Sequence, residues 1–285
     1  MFIIIGWGLA LAAIVGGFLF GGGHLGVFVQ PSEFIIILGA AIGAFLAANK
    51  PVTLSALGGA VGAAFKGSKY TKDYYLEALT LMFMIFTKIR TQGLLALEAD
   101  LENPHSSDTF KVAPNVLHDH HAIDFIVDYL RMMSAGNISS FQMSDLMDAE
   151  LEMHHHAALQ PVGALNKLAD GLPAFGIVAA VMGVVHTMES VGIPPAELGK
   201  LIAAALVGTF LGILVSYGFV GPLATSMEGS VEEEGSFYQM LKFTILAAVN
   251  NNPPATSVEF GRKTVPAHIR PGFAELEEYL RNAKK

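Results

Sequence analysis

Two histidine tracts are the first places in this sequence where chemistry could sit: His118-Asp119-His120-His121 and His154-His155-His156. Imidazole is the commonest metal ligand, so a His-rich membrane metalloenzyme is one reading of them. The histidine boxes of membrane di-iron enzymes repeat H-x3-4-H and H-x2-H-H spacings, whereas this chain offers H-x-H-H alone. Adjacent residues on a helix also point about 100° apart, so three histidines in a row cannot share one ligand face. The tracts read as solvated polar faces, and no metal or other cofactor is expected. The chain has no cysteine, which removes thiolate zinc sites, disulfides and a cysteine nucleophile. It also shows no GxGxxG, P-loop or nucleophile elbow. An enzyme is not expected.

The remaining candidates are polar residues set in long apolar runs. Thr209, Ser216 and Tyr217 lie in the last such run, and Thr187 and His186 near the end of the one before it. A lone hydroxyl in an apolar helix ordinarily bonds its own backbone. Pro173 and Pro222 frame the same two runs: Pro173 reads as the opening of a helix, and Pro222, after Gly218 and Gly221, as a kink.

The elements that must position these residues follow from composition. Of 285 residues 52% are hydrophobic and only 15% charged, with a mean hydropathy of +0.49. Soluble domains average about 25% charged residues. Four stretches hold the excess: Phe2–Gly23, Phe34–Asn49, Gly171–Met188 and Leu201–Met227, none containing Asp, Glu, Lys or Arg. A bilayer core of about 30 Å takes about 20 apolar residues of helix, and flanking residues can snorkel where a run is short. Four membrane spans are expected, at about 2–22, 33–49, 171–190 and 200–222. The first is retained rather than cleaved, because it lacks a basic leader and its apolar run continues past Ala10-Leu11-Ala12. The net charge of −8 argues against nucleic acid as a partner.

Lys and Arg set the orientation. Nine of the seventeen lie in Lys50–Asp170 and seven in the tail from Pro222, leaving only Lys200 in the loop beginning at Val191. Positive residues stay inside, so both termini, the segment 51–170 and the tail 228–285 are expected in the cytoplasm. Small residues recur every fourth position: Gly8, Ala12, Gly16; Gly39, Gly43, Ala47; Ala179, Gly183; and Ala204, Gly208, Gly212, Ser216. Such stripes let helices approach closely in lipid, either within the chain or between subunits. The segment 51–170 reads as helical. An interfacial glycine-rich stretch at Leu54–Lys66 is followed by helices over Thr71–Arg90, Asn115–Ala135 (stopped by Gly136-Asn137) and from Ser144 toward span three. LLALEADLE continues after Gly93 and stops at Asn103-Pro104. One helix leads out of span four, and another covers Phe273–Ala283. Nothing alternates with period two. The fold class is all-α: an integral membrane protein with four transmembrane helices and a helical cytoplasmic domain.

Several stretches resemble the A subunits of the bacterial flagellar stator, the MotA family, within the MotA/TolQ/ExbB proton-channel superfamily. They are TKIRTQGLLALEADLENP, PAFGIVAAVMGVVHTM, AELGKLIAAALVGTFLGILVSYGFVGPLAT and VEFGRKT. The histidine tracts and Val191–Pro195 depart from the family's pattern. The resemblance implies a ring of five A chains around two copies of a single-span, peptidoglycan-binding B subunit in the bacterial inner membrane. The B subunit supplies the ion-binding aspartate, and the transported ion is H+. It further implies that Thr209 and Tyr217 line the ion path and that Pro173 and Pro222 couple protonation to movement. Arg90 and Glu98, with Glu150 assisting, would engage the switch protein of the rotor's C-ring; from residue type alone they are ordinary solvated charges. A TolQ/ExbB-type energiser, the nearest rival, has three spans and an N-terminus outside, unlike the paired spans here.

Overall fold

A computed structural model of the chain describes residues 2–136, 138–189 and 192–283. Its helices in chain order are α1 (Phe2–Phe20), α2 (Pro31–Ala48), α3 (Pro51–Lys66), α4 (Lys72–Gln92), α5 (Glu98–Glu102), α6 (Pro114–Leu117), α7 (His120–Ala135), α8 (Ser140–Met188), α9 (Pro195–Ile213), α10 (Gly221–Val249), α11 (Pro254–Thr264) and α12 (Phe273–Asn282). There is no strand among the described residues. Four stretches of helix are long and apolar enough to cross a membrane: Phe2–Phe20, Pro31–Ala48, Ser140–Met188 and Pro195–Val249. The chain forms two compact units, residues 1–67 with 158–230 and residues 68–157 with 231–285. The segment after span two and the tail, far apart in sequence, therefore build one unit together.

The apolar unit holds α1, α2, α3, the later part of α8, α9 and the start of α10. Ile37 and Ala41 of α2 pack with Leu172 and Ala179 of α8 and Leu211 of α9. Trp7 of α1 stacks on Phe65 and Phe219 with ring centroids 5.6 and 5.4 Å apart, and Phe28 on Phe18 and Phe210 at 4.8 and 4.9 Å. Otherwise α1 buries none of its residues in this chain.

Both prolines behave differently from the sequence expectation. Pro173 does not open a helix; it lies inside α8. Pro222 closes nothing either, because α10 runs through it. The backbone adapts ahead of Pro222 by adopting π-register over Leu214–Val220, where the Gly221 N–H donates five residues back to the Ser216 carbonyl. Proline supplies no N–H and crowds the preceding turn, and a wider turn relieves that crowding.

The second unit has a larger core, centred on α4. Tyr74, Tyr75, Leu79, Met82 and Phe86 of α4 are buried, and the fully buried ring of Phe237 meets Tyr70, Tyr74 and Tyr75 at 5.3, 5.0 and 5.7 Å. The expected helix over Asn115–Ala135 is broken into α6 and α7 at His118-Asp119. At the break the Asp119 carboxylate accepts from Lys69 Nζ at 2.6 Å and Tyr74 Oη at 2.8 Å. Burial alone would raise the Asp119 pKa, but these two donors outweigh it and hold the carboxyl below the usual range. Gly136 ends α7 in the left-handed conformation, φ 73°; Asn137, named with it as a stop, lies outside the described residues, as does Val191.

One helix escaped the sequence reading. α11 carries VEFGRKT and packs Val258 and Gly261 inward. Arg262, 6% exposed, donates to Glu259 Oε2 at 2.7 Å and to the Pro271 carbonyl at 2.9 Å. A methyl on Gly261 would overlap Thr244 Oγ1 of α10, and would lie 3.1 Å from Leu79 of α4 and 3.2 Å from the Met240 carbonyl. Gly261→Ala is therefore expected to destabilise this unit by about 1–3 kcal/mol. A lowered midpoint in thermal melts of the detergent-purified protein is the readout, and an unchanged midpoint would contradict the packing.

Candidate functional site

The residues expected to carry an ion path or a movement fall on the facing surfaces of α8 and α9. Small residues bring these backbones together. A methyl on Gly176 would sit 2.8 Å from the Gly208 carbonyl oxygen, 3.1 Å from Gly212 Cα and 3.4 Å from Thr209 Cα; one on Gly183 would sit 2.8 Å from Ala205 Cβ. The small-residue stripes of spans three and four therefore pack within the chain. Those of spans one and two behave otherwise: nothing within 4 Å surrounds a methyl placed on Gly8, Gly16, Gly39 or Gly43.

Thr209 is half-buried beside this contact, and its hydroxyl makes no hydrogen bond among the described residues. Thr187 follows the ordinary rule, donating to the Gly183 carbonyl one turn back at 2.8 Å. Tyr217, in the π-register stretch, is 69% exposed and Pro222 is exposed, while Pro173 is half-buried. Ser216 is fully buried and donates across to the Ala169 carbonyl of α8 at 2.6 Å. That carbonyl is four residues before Pro173, the one whose helical partner the proline removes.

Glu33 was counted in the sequence as a flanking charge outside the spans. It lies in the first turn of α2 and is only 5% exposed. Its Oε2 has no hydrogen-bond partner among the described residues, and would lie 2.6 Å from a methyl on Gly208. Position in the sequence could not reveal this, because the side chain turns inward against glycines contributed by two other helices.

In the second unit the three charges singled out have different surroundings. Arg90 ends α4, and Glu98 opens α5 after the turn at Gly93 (φ 83°). Both are exposed, and neither has an ion pair or side-chain hydrogen bond among the described residues. Their neighbours are consumed locally. Lys88 pairs with Asp100 at 2.6 Å, and Asp100 also accepts from Ser107 Oγ at 2.8 Å and Thr109 Oγ1 at 3.3 Å. Glu150 accepts from the Tyr129 hydroxyl at 2.5 Å. Burial pushes the Tyr129 pKa upward, and the Glu150 carboxylate pushes it further. Glu150 is thus partly engaged, whereas Arg90 and Glu98 are free.

The histidines of the second tract face different neighbours. The His154 ring lies 5.4 Å from Tyr238 and 6.4 Å from His121, His155 is 4.0 Å from Glu232 and His156 is 3.8 Å from Glu152. Among the described residues no three His, Asp or Glu side chains are grouped to hold a metal ion.

The arrangement matches known proteins from end to end. Residues 4–93 match the family described as "Motility protein A N-terminal" and residues 119–240 the "MotA/TolQ/ExbB proton channel family". Motility protein A of Salmonella typhimurium is 46% identical over 99% of this chain and 95% of its own length. The chain belongs to the motility protein A family. The Escherichia coli member is 45% identical over 100% of this chain and 96% of its own length. The chemotaxis protein LafT of Vibrio parahaemolyticus is 35% identical over 95% of each chain. Two solved structures share the fold. C. jejuni MotAB has a TM-score of 0.76 at 18% identity, covering 93% of this chain and 95% of that one. The flagellar MotAB stator complex of Bacillus subtilis has 0.73 at 23%, covering 90% and 92%. The N-terminal match falls on the first two spans, the region that separates this family from three-span energisers.

Within this family member, the close contact of α8 and α9 is tightest at Gly212. A methyl there would lie 2.7 Å from the Leu172 carbonyl oxygen and 2.9 Å from Gly176 Cα, both backbone atoms that cannot rotate away. Gly212→Ala is expected to force the two helices apart at a cost of about 1–3 kcal/mol. A melting temperature equal to that of the unsubstituted protein would refute this.

Proposed function

We infer that this chain is the ion-conducting A subunit of a bacterial flagellar stator, coupling proton flow to torque on the rotor. The end-to-end likeness to motility protein A carries the reading. In this reading the protein sits in the inner membrane, with both termini and the polar unit in the cytoplasm, as the Lys and Arg distribution favours. Five copies surround two copies of a single-span, peptidoglycan-binding B subunit that brings the ion-binding aspartate. Two observations support a partner: spans three and four carry no carboxylate of their own, and α1 buries nothing within the chain.

Protons enter from the periplasm, neutralise the partner's aspartate and leave toward the cytoplasm, passing the free hydroxyl of Thr209 and the exposed Tyr217. A charge inside the membrane is costly, so neutralising it changes which contact with the ring is preferred. The membrane potential contributes about 2.3 kcal/mol per charge per 100 mV, several times thermal energy. Pro173 and Pro222 let α8 and the α9–α10 stretch bend in response. Arg90 and Glu98, unpaired and exposed, then engage the charged surface of the rotor's switch protein, with Glu150 assisting.

The test is rotation in cells that lack their own stator, supplied with this chain and its B partner. Rotation in sodium-free medium is expected; rotation that requires sodium would overturn the proton assignment, and none under either condition would overturn the stator reading. Replacing Arg90 with Glu and Glu98 with Lys is expected to abolish torque while membrane insertion and co-purification of the partner persist; normal swimming would remove these residues from the rotor contact. Pro173→Ala is expected to leave assembly intact and slow or stop rotation. Loss of assembly would make the proline structural only.

A further inference from the structure

The hydrogen bond between Ser216 and Ala169 has a physical role beyond packing. Pro173 leaves the Ala169 carbonyl without its helical donor, Ala169 is buried, and in hydrocarbon an unpaired carbonyl is costly. Ser216, forty-seven residues away, fills the vacancy at 2.6 Å. In the apolar unit, among the described residues, this is the only side-chain hydrogen bond that joins two helices. Thr187, Thr225 and Ser230 all turn back on their own helices, to the carbonyls of Gly183, Gly221 and Ser226. Ser216 departs from that habit. Its short side chain reaches the other helix because Gly212, one turn earlier, lets the backbones nearly touch.

We propose that Ser216 is a positioning residue for the movement at Pro173: its hydroxyl replaces the missing amide and latches α8 to the π-register stretch in the bend observed. The hydroxyl has a second acceptor within one rotation about Cα–Cβ, the carbonyl of its own preceding turn, so the latch can release without stranding its donor. Breaking the cross-helix bond frees α8 to change its bend at Pro173. The functional part of this inference rests on the stator reading above; the bonding part does not.

A double-mutant cycle on the full chain, co-produced with its B partner, tests both. Ser216→Ala is expected to lower the melting temperature of the purified complex by about 2–4 °C. In a Pro173→Ala background, where the restored amide pairs with Ala169, the same substitution is expected to change it little. Equal drops in both backgrounds would overturn the bonding role, since simple packing would cost the same in each. In rotation assays Ser216→Ala is expected to shift stepping rate or torque by about threefold to tenfold, the scale of one lost hydrogen bond. Ser216→Cys, the same shape with a weak donor in a chain without other cysteines, is expected to fall between the two. Unchanged rotation by an assembled Ser216→Ala complex would overturn the positioning role. A failure of the stator reading appears separately, as no rotation by the unsubstituted complex.

Discussion

A backbone carbonyl stripped of its amide partner cannot be left alone in hydrocarbon, and much of the apolar unit is arranged around that constraint. Pro173 creates such a carbonyl at Ala169, and Ser216 answers it. For a side chain as short as serine to reach, the two helices have to come close enough that glycine at 176, 208 and 212 is the residue that fits. The same closeness excludes water and makes the bond stronger than it would be at a surface. The second proline is accommodated by different means, a change of helical register over Leu214–Val220 that needs no outside donor. The two prolines therefore differ physically. One depends on a neighbouring helix and the other on its own.

The polar unit follows another logic. Its stability comes from aromatic packing around Phe237 and from the close seat of Gly261 on α4 and α10, so its surface charges can be left unpaired. Nature of residue does not separate Lys88 and Asp100 from Arg90 and Glu98; placement does. The first two are turned inward and bonded to each other and to Ser107 and Thr109, which holds the turn between α4 and α5. The second two are carried outward by that turn. A rigid turn presenting unpaired charges is suited to repeated engagement with a charged partner, because little ordering is lost at each contact.

Much of the fold was legible in the residues. Hydropathy placed the four spans within a few residues, because twenty apolar residues without charge leave few alternatives. Helical periodicity found α4, α7, α8 and α12. What it missed had local causes: α11 is short and follows two prolines, and the break before α7 depends on Asp119 turning to Lys69 and Tyr74, residues about fifty positions away. Pro173 and Pro222 read as punctuation because proline usually ends or opens helices, and that tendency yields where other groups satisfy the backbone.

By itself, then, the sequence determined that the chain is helical, that four parts of it belong in lipid, and which residue types could carry chemistry there. These are properties of local averages and of period, which a chain has before it folds. Tertiary structure alone decided partners: that Glu33 turns inward against glycines, that Ser216 bonds across helices while Thr187 bonds along its own, and that Arg90 and Glu98 stay free beside a bonded pair. The reason is range. A hydrogen bond acts over about 3 Å, and which two groups come that close is set by how whole helices pack, information that no window of neighbouring residues contains.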